Sequence, residues 1–551
     1  MINFKKALST ILVICICLSF AGCKPQQIDL SSLYNQTDEQ LAADNENFDV
    51  PSNTQSTNKP SGNENDQNTP NNNDQSGQNN QNGGVTGNTQ NKKVDFSQLD
   101  SLKNSIPKGY EKYVGVRTKN QVSALVNVID SLNRKNASQS EVDSIVKDLN
   151  NAISKPEYLS SDISAVYIEY NKAPTVNGGY VGAKVSVVDH SGALNTLVID
   201  NSAQIRIRGN TTAHFAKAPY NIKFSEKQNL FGMGDDRGWY LLANAFDKTL
   251  LRNAIALEFS KRAGVKYCAE YRFVDVYVNG QYRGNYLLTE KVEANKDRID
   301  IDVENGDFLI EITEKSGGDV TYVTTSSLNA RFEVNEPEKP TAAQKKKLQT
   351  ILDNADAAIK SGDINQMKKY IDIESFVNFY IANEYLKMLD FHYSSPRFYI
   401  KDSIVYAGPV WDFDLSMGNA NANFAPYADY MSGNNLGASY KGLWCQRSFP
   451  WYVTLMQNNE FKKLVKARYN ELQPQIVNTY EDNELGKNMV DKFYNEYKAS
   501  FYRNFTTAGW TFTTSSAFEN TPKPTLVANV DDLRNWLKNR NKWLLDEFNS
   551  Y

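Results

Sequence analysis

Residues 407–418 read AGPVWDFDLSMG and place Asp412 and Asp414 two positions apart in an apolar segment. The apolar run around the Gly-Pro turn predicts a short buried strand. Side chains two positions apart share a face of a strand, so we expect the two carboxylates to lie side by side. They would repel each other unless a cation lies between them or one carboxyl keeps its proton. A hard cation such as Mg²⁺ suits this pattern. The competing interpretation is one solvated and one capping aspartate at a loop.

The composition excludes some classes of function. The chain has 551 residues, 40% of them hydrophobic, so it can form more than one domain with a core. A net charge of -4 argues against nucleic-acid binding. The chain has three histidines, far apart and without a zinc motif: His190, His214 and His392. Cys268 and Cys445 are too few for a disulfide framework, and we expect two separate buried thiols.

The amino terminus resembles a lipoprotein signal, which we assign to residues 1–23. Lys5 and Lys6 precede an apolar segment, 7–20, that is too short for a transmembrane helix. The segment ends in Phe-Ala-Gly-Cys, and small residues before Cys23 resemble the bacterial lipobox. The resemblance implies that Cys23 is lipidated. We therefore expect the protein to be anchored by lipid alone on the extracellular side of a bacterial membrane.

Two further regions precede the main domain. Residues 24–94 are a predicted disordered linker, because from Thr37 to about Lys92 the chain is Asn, Gln, Ser, Gly and Asp with almost nothing apolar. Residues 95–157 form a predicted helical module, with apolar side chains at helical spacing over Thr118–Asn133 and Ala137–Ser154. The run NASQSEVDSIVKDLNNAIS resembles the last helix of FIVAR-type modules of bacterial surface proteins.

The remaining region, 158–551, changes from strands to helices along the chain. Alternating patterns predict the strands Ala165–Tyr170, Ala183–Val188, Gln204–Arg208, Tyr220–Phe224, Tyr271–Val278, Tyr282–Leu288 and Phe308–Ile312. The dipeptide Asn279-Gly280 indicates a hairpin. Helical periodicity predicts Lys248–Ala263, Thr341–Lys360, Ile373–Leu389, Asn459–Tyr480 and Val530–Phe548. A β-rich part followed by a helical part predicts a bilobal α+β fold.

Two hairpin segments carry basic side chains that suit phosphate. Residues 204–224 read QIRIRGNTTAHFAKAPYNIKF, a strand, a turn rich in hydrogen-bond donors, and a second strand near Lys217 and Lys223. Such a turn beside lysines can cradle a phosphate, although an ordinary hairpin has the same pattern. The later hairpin, 279–301, contains Glu290 and Lys291. A buried Lys–Glu pair between strands would hold an ammonium against phosphate oxygens.

A third segment places a carboxylate ahead of the Asp pair. Residues 383–402 read NEYLKMLDFHYSSPRFYIKD and put Asp390 after a predicted helix, about twenty residues before Asp412. Phosphotransferases of the protein-kinase type use the same order, in which a base for the acceptor hydroxyl precedes a Mg²⁺ ligand. This chemistry depends on positioning and charge, so it needs neither a catalytic histidine nor a cysteine.

The combination IRIRGNTT, KAPYNIKF, VNGQYRGNYLLTEKV, RFYIKD and VWDFD resembles the CotH (spore coat protein H) kinase family over about residues 160–480. The resemblance implies an atypical protein-kinase-like fold that uses ATP with Mg²⁺ or Mn²⁺ to phosphorylate serine or threonine of secreted or cell-surface proteins. It makes Asp390 the catalytic residue and Asp412 and Asp414 metal ligands. The implied nucleotide-binding residues are Arg208, Lys217, Lys223 and Glu290, with Lys223 and Glu290 as the phosphate-positioning pair.

The chain departs from the family pattern near the catalytic position. Many members have asparagine four or five residues after the catalytic aspartate, where this chain has Ser394 and Ser395. Ser395 is then the candidate second metal ligand, and a serine oxygen is a less favourable one. The departure leaves open a non-catalytic scaffold of the same fold. Carbohydrate hydrolysis by paired carboxylates is a further alternative, but the close spacing of Asp412 and Asp414 counts against it.

Overall fold

The computed structural model describes residues 93–160, 162–314, 320–421, 438–447, 449–513 and 518–551. All of them belong to one structural unit, Gln90–Tyr551. The predicted lipoprotein signal, Cys23 and nearly all of the predicted linker lie outside the described residues. In the described part of the chain, no helix combines the length and the apolar character needed to cross a membrane.

Three helices open the described chain: α1 (Ser97–Asn104), α2 (Val116–Ser131) and α3 (Gln139–Ser154). The two helices predicted in this region are thereby confirmed. The apolar face of α2 and α3 packs into a cluster that also contains Val188 and Leu194 from the region that follows. The helices therefore share a hydrophobic core with the next part of the chain.

A closed barrel of seven strands follows. Its strands are β1 (Ala165–Glu169), β2 (Val181–Val188), β3 (Val198–Ile207), β4 (Tyr220–Asn229), β5 (Asp235–Leu242), β6 (Tyr271–Val278) and β7 (Gln281–Glu290). The order around the barrel is β1-β2-β3-β4-β5-β7-β6, and β6 closes it by pairing in parallel with β1. Asn279 and Gly280 have φ values of 48° and 78°, as the predicted β6–β7 hairpin requires.

Five more strands form a second sheet: β8 (Phe308–Ile312), β9 (Tyr322–Thr324), β10 (Arg331–Glu336), β11 (Arg397–Lys401) and β12 (Ile404–Ala407). Their order is β12-β11-β8-β10-β9, with antiparallel pairs throughout. The α+β class is confirmed. The sequence analysis did not predict that the β-rich part closes into a barrel, or that β8 pairs with β11 from beyond the following helices.

The remaining helices are α4 (Arg252–Arg262), α5 (Ala342–Ser361), α6 (Ile364–Met367), α7 (Ile373–Leu386), α8 (Pro450–Leu455), α9 (Asn459–Glu471), α10 (Gln473–Val477), α11 (Met489–Thr506) and α12 (Leu526–Asn549). The single helix predicted over Asn459–Tyr480 is two helices. Pro474 lies in the first turn of α10, where its missing N–H is tolerated and a continuous helix would be broken. Cys268 and Cys445 are buried free thiols, as expected.

A buried ion pair joins α7 to α12. Glu384 and Arg540 are both fully buried, and Nη2 of the arginine lies 2.6 Å from Oε1 of the glutamate. The carboxylate also accepts the backbone N–H groups of Trp444 and Cys445 at 2.7 and 2.8 Å. Arg540 Nη1 donates to the Gly442 carbonyl at 2.9 Å. One ion pair therefore fixes α7, α12 and the segment around residues 442–445 together.

Removing one partner of this pair should destabilise the protein strongly. In Arg540→Met the Glu384 carboxylate stays buried without its counter-ion, which costs about 3–5 kcal/mol of unfolding free energy. Urea denaturation measures the loss. The control is Arg237→Met, whose partner Glu226 is exposed, and it should change the unfolding free energy by less than about 1 kcal/mol. Equal effects of the two substitutions would contradict a central role for the Glu384–Arg540 pair.

Candidate functional site

Asp412 and Asp414 lie in a loop rather than on a strand. Strand β12 ends at Ala407, and residues 408–413 have no regular secondary structure. Asp412 has φ 72°, in the left-handed region that turns the chain away from an extended path. The predicted strand with both carboxylates on one face is therefore wrong in its backbone geometry. Asp412 is exposed and Asp414 partly buried.

The two carboxylates nevertheless interact. Burial raises the pKa of Asp414 well above its usual value, and the negative charges of Asp412, Asp247 and Asp390 raise it further. Acidic side chains from three distant parts of the chain therefore influence the ionisation of Asp414. The predicted catalytic residue Asp390 and the predicted metal ligands Asp412 and Asp414 belong to one carboxylate cluster.

Asp390 follows α7 in a short 3₁₀ helix, Leu389–His392. Helix α7 ends with Lys387 in the left-handed conformation, at φ 52°, which redirects the chain. Lys387 Nζ donates to the carbonyls of Ser439 and Lys441 at 2.6 and 2.9 Å. These bonds hold the turn between α7 and Asp390 in place. The expectation that Asp390 follows a helix C-terminus is confirmed.

Ser395 lies beside Asp412, with 3.4 Å between Ser395 Oγ and Asp412 Oδ2. Its φ is 84°. Its backbone N–H donates to Glu311 Oε1 at 2.9 Å, and Glu311 in turn pairs with Arg397 at 3.0 Å. The second sheet thus positions this serine, because Glu311 and Arg397 face each other on β8 and β11.

Arg208 brings positive charge to the cluster. Its guanidinium lies 4.2 Å from the ring centre of Tyr240 and 5.4 Å from that of Trp411. Burial lowers its pKa, while Tyr240, Asp412 and Asp414 act to raise it. An arginine remains charged in proteins even when its pKa falls somewhat. A desolvated cation therefore lies within electrostatic range of both aspartates.

The sequence analysis missed the residues that hold the aspartate loop. Asp247 and Arg252, at the start of α4, form a buried ion pair at 2.5 Å. Arg252 Nε donates to the Ser416 carbonyl at 3.1 Å, and Nη2 to the Met417 carbonyl at 3.4 Å. The pair therefore ties the segment after Asp414 to helix α4.

Two amides complete this attachment. Asn253 Oδ1 accepts the N–H of Phe413 at 2.8 Å. Asn419 Nδ2 donates to the carbonyls of Asp414 and Phe246 at 2.6 and 3.1 Å. The sequence signal was present in residues 243–254, ANAFDKTLLRNA, where amide and charged side chains interrupt an apolar helix start. Polar side chains in a buried segment indicate that they form hydrogen bonds inside the protein.

The predicted Lys223–Glu290 pair is not formed. Ile222, Trp239 and Glu290 are aligned across β4, β5 and β7, and the first two side chains lie in the barrel core. Glu290 shares that inner face and pairs with Arg298 at 2.5 Å. Lys223, the next residue along β4, is exposed on the outer face. One position of strand register separates the two side chains onto opposite faces.

Lys217 lies near Asp247, but its ammonium is already hydrogen-bonded inside the protein. It is buried, and its Nζ donates to the Asn285 carbonyl and to Asn504 Oδ1, both at 2.7 Å. Burial lowers the pKa of Lys217 well below its usual value, and the positive charge of Lys248 lowers it further. Lys217 lines a cavity of about 230 Å³ whose wall also includes Asp247.

A third lysine, Lys291, directly follows Glu290 at the end of β7. Its Nζ pairs with Glu293 at 2.5 Å. Burial acts to lower the Lys291 pKa, but Glu293 and Tyr240 outweigh it, so the pKa is raised. Tyr240 is the ring that Arg208 covers. The neighbouring Gly238 leaves room for this side chain, since a Cβ there would lie 3.1 Å from Lys291 Cδ.

The donor set of the cluster fits a hard cation. Its oxygens are carboxylates and a serine hydroxyl, which suit Mg²⁺ or Mn²⁺. In the residues that the structure describes, no three His, Cys, Asp or Glu side chains form a ready-made metal site. Mg²⁺ commonly binds through one or two carboxylates together with substrate phosphates. The cluster therefore fits a cation that arrives with a phosphate ligand.

Fold and site together define an α+β protein in which aspartates from a helix end and from a loop meet beside a desolvated arginine. The family model described as CotH kinase protein matches residues 205–544, more than half of the chain. The chain therefore belongs to the CotH kinase family. No curated protein matches it. The matched region begins after residues 95–157, and the comparisons give no support to the FIVAR resemblance.

Replacing Asp414 should stabilise the metal-free protein at neutral pH. Folded Asp414 keeps its proton to a higher pH than the unfolded chain does, because burial raises its pKa. Its contribution to stability is therefore present below the ordinary aspartate pKa and lost as pH rises through the raised value. With EDTA present, Asp414→Asn should raise Tm near pH 7 and weaken the fall in Tm that the wild type shows as pH rises above the ordinary aspartate pKa. A lower Tm at pH 7 would contradict this charge assignment.

Proposed function

We propose that this protein is a kinase that transfers the ATP γ-phosphate to serine or threonine of secreted or cell-surface proteins. Membership of the CotH kinase family supports a kinase-like protein in general. The observation that carries the proposal is the geometry of the aspartate loop: Asp412 lies beside Ser395, and Asn419 holds Asp414 where the charges of Asp412, Asp247 and Asp390 reach it. A site that concentrates negative charge in this way favours a bound cation, and phosphoryl transfer requires one.

Each aspartate has a separate role in the proposal. Asp390 accepts the proton of the acceptor hydroxyl and orients that oxygen towards the phosphate. Asp412 and Asp414 hold Mg²⁺ or Mn²⁺, with Ser395 as an additional oxygen ligand. When bound, the metal neutralises the charge of the transferring phosphate. Asp247 stays committed to Arg252 and acts by positioning the loop.

Arg208 and Lys291 are the proposed phosphate-binding cations. Both lie on the outer face of the barrel against Tyr240, and Arg208 also covers Trp411. The pairing of Lys291 with Glu293 takes the place that the sequence analysis gave to Lys223 and Glu290. Lys217 supports the nucleotide site only indirectly, since its ammonium is bonded to Asn285 and Asn504.

The proposal extends to the wider architecture and location. The barrel corresponds to the smaller lobe of a kinase-like fold, and the region around α7, α9 and α12 to the larger lobe. Lipidation of Cys23 anchors the protein at the cell surface, as the sequence of residues 20–23 suggests. Its substrates are then proteins that reach the same extracellular surface.

A scaffold without transferase activity is the second candidate. Ser395 favours it, since its hydroxyl is a weaker Mg²⁺ ligand than a carboxylate or an amide oxygen. Its backbone N–H is also committed to Glu311. The two candidates share nucleotide binding and differ in phosphate transfer, so the test must measure both.

Substitutions of the two aspartates should separate binding from transfer. Asp412→Ala should lose the Tm rise that Mg-ATP produces in the wild type, because ligand binding to the folded state alone raises Tm. Asp390→Asn should keep that rise and lose at least about 100-fold in phosphate transfer, since a base contributes mainly to the transition state. Thermal shift and transfer of labelled phosphate to the protein itself or to surface-protein extracts provide the two readouts.

The matched control is Asp546→Asn, an exposed aspartate in helix α12, away from both the cluster and the rest of the site. It should leave both readouts unchanged. Nucleotide binding without transfer in the wild type, with Asp390→Asn identical to it, would establish the scaffold instead. Loss of nucleotide binding in Asp390→Asn would contradict the assigned roles.

Two lysines on the same barrel face provide a test of the phosphate-binding assignment. Lys291→Met should weaken Mg-ATP binding about tenfold or more, because Lys291 lies beside Tyr240 and Arg208. Lys223→Met removes the same charge from a more exposed position and should change the Kd less than about twofold. Titration calorimetry with Mg-ATP gives both values, and the reverse order of effects would return the role to Lys223.

A further inference from the structure

A groove of about 660 Å³ lies between α5 and the turn that joins β11 to β12. We call it the basic groove. The side chains that define it are Lys346, Lys347, Ile351, Lys369, Tyr370 and Ile404. It is built from elements outside the carboxylate cluster, and the proposed transfer reaction does not use it.

The rim of the basic groove is positively charged. It carries three lysines, Lys346, Lys347 and Lys369, whereas Asp402 is the acidic side chain among the lining residues. All three lysines are exposed. Lys347 donates to a backbone carbonyl and Lys369 to an amide, at 3.2 and 3.0 Å. None of the three forms an ion pair with a described residue, so their charges are available to a ligand.

The floor of the groove is apolar. Ile351 lies between the lysines of α5 and Ile404 at the start of β12, and Tyr370 adds an aromatic ring. The backbone edge of β12 is occupied, because Val405 exchanges hydrogen bonds of 2.9 Å with Tyr370 and Asp372. A ligand therefore meets lysines at the rim and apolar side chains on the floor, and it cannot bind by adding a strand at Val405.

We propose that the basic groove docks an acidic peptide segment of the protein substrate, an inference that rests on the proposed kinase function. Acidic side chains would meet the rim lysines, while an apolar side chain between them packs on Ile351 and Ile404. A polyphosphate or a sugar-phosphate polymer offers no such apolar group. The peptide is therefore the ligand that matches both features of the groove.

The groove is within reach of the carboxylate cluster along the chain. Strand β12 starts at Ile404 in the groove, and the chain continues to Asp412. Eight residues span at most about 26 Å at roughly 3.3 Å per residue. A substrate whose acidic segment lies about eight or more residues from its serine or threonine is thus long enough to occupy both places. Docking here would lower the KM for that substrate without changing nucleotide binding.

Direct binding tests this inference without any kinase activity. The probe is a fluorescein-labelled peptide with four glutamates around a central leucine, and fluorescence anisotropy gives its Kd. Lys346→Glu/Lys369→Glu should weaken binding at least about tenfold. The control is Lys463→Glu/Lys542→Glu, which makes the same charge change at two exposed lysines elsewhere and should stay within about twofold of the wild type.

Two further probes distinguish a peptide site from a general anion site. Replacing the central leucine by serine should weaken binding about fivefold or more, and inorganic polyphosphate at equal charge should compete poorly. Any one of three results would overturn the inference. They are equal binding of the serine peptide, strong competition by polyphosphate, and equal effects of the two double variants. These probes need neither ATP nor phosphate transfer. A negative result here would therefore not decide the kinase proposal, which the Asp412 and Asp390 variants test separately.

Discussion

The buried ion pair between Asp247 and Arg252 is the constraint on which the site depends. Both side chains are nearly inaccessible to water, so the desolvation of each must be offset by hydrogen bonds. Asp247 accepts bonds from Thr249 and from the Arg252 backbone. The guanidinium reaches the Ser416 carbonyl. Moving the segment after Asp414 would leave a buried arginine unsatisfied, so this segment and α4 are fixed as one piece.

The other half of the site depends on a second buried ion pair. Glu384 and Arg540 lie 156 positions apart in the sequence, and both side chains are inaccessible to water. They fix the end of α7, from which the chain turns through Lys387 to Asp390. Asp390 and Asp412 are thus positioned by different charge pairs, each inside a hydrophobic core. This arrangement gives the carboxylates the rigidity that the proposed phosphoryl transfer would require.

The sequence predicted individual helices and hairpins far better than the closure of the barrel or the contacts between distant residues. Helix periodicity placed α4, α7 and α12, and Asn279-Gly280 placed a hairpin, because these signals act over a few residues. Barrel closure by β1 and β6 joins strands about 110 positions apart, which no local pattern reports. Strand β5 was missed because DDRG, at its start, has the composition of a turn. In the site, Ser395 lies beside Asp412, and the charges of Asp390 and Asp412 act on Asp414, whereas the partner of Glu290 depended on strand register.

The site contains backbone strain and charge repulsion that the packing of the core does not explain. Asp412 and Ser395 both have positive φ values, a conformation that costs a non-glycine residue about 1–2 kcal/mol. Their side chains meet in the middle of clustered negative charge, where burial and repulsion already raise the Asp414 pKa. Structures keep such backbone conformations where their surroundings fix them and where function uses them. A bound cation would relieve the repulsion without moving any of these groups, as a proton retained on Asp414 does in its absence. The metal–phosphate site that we propose would account for both the strain and the acidity of this loop.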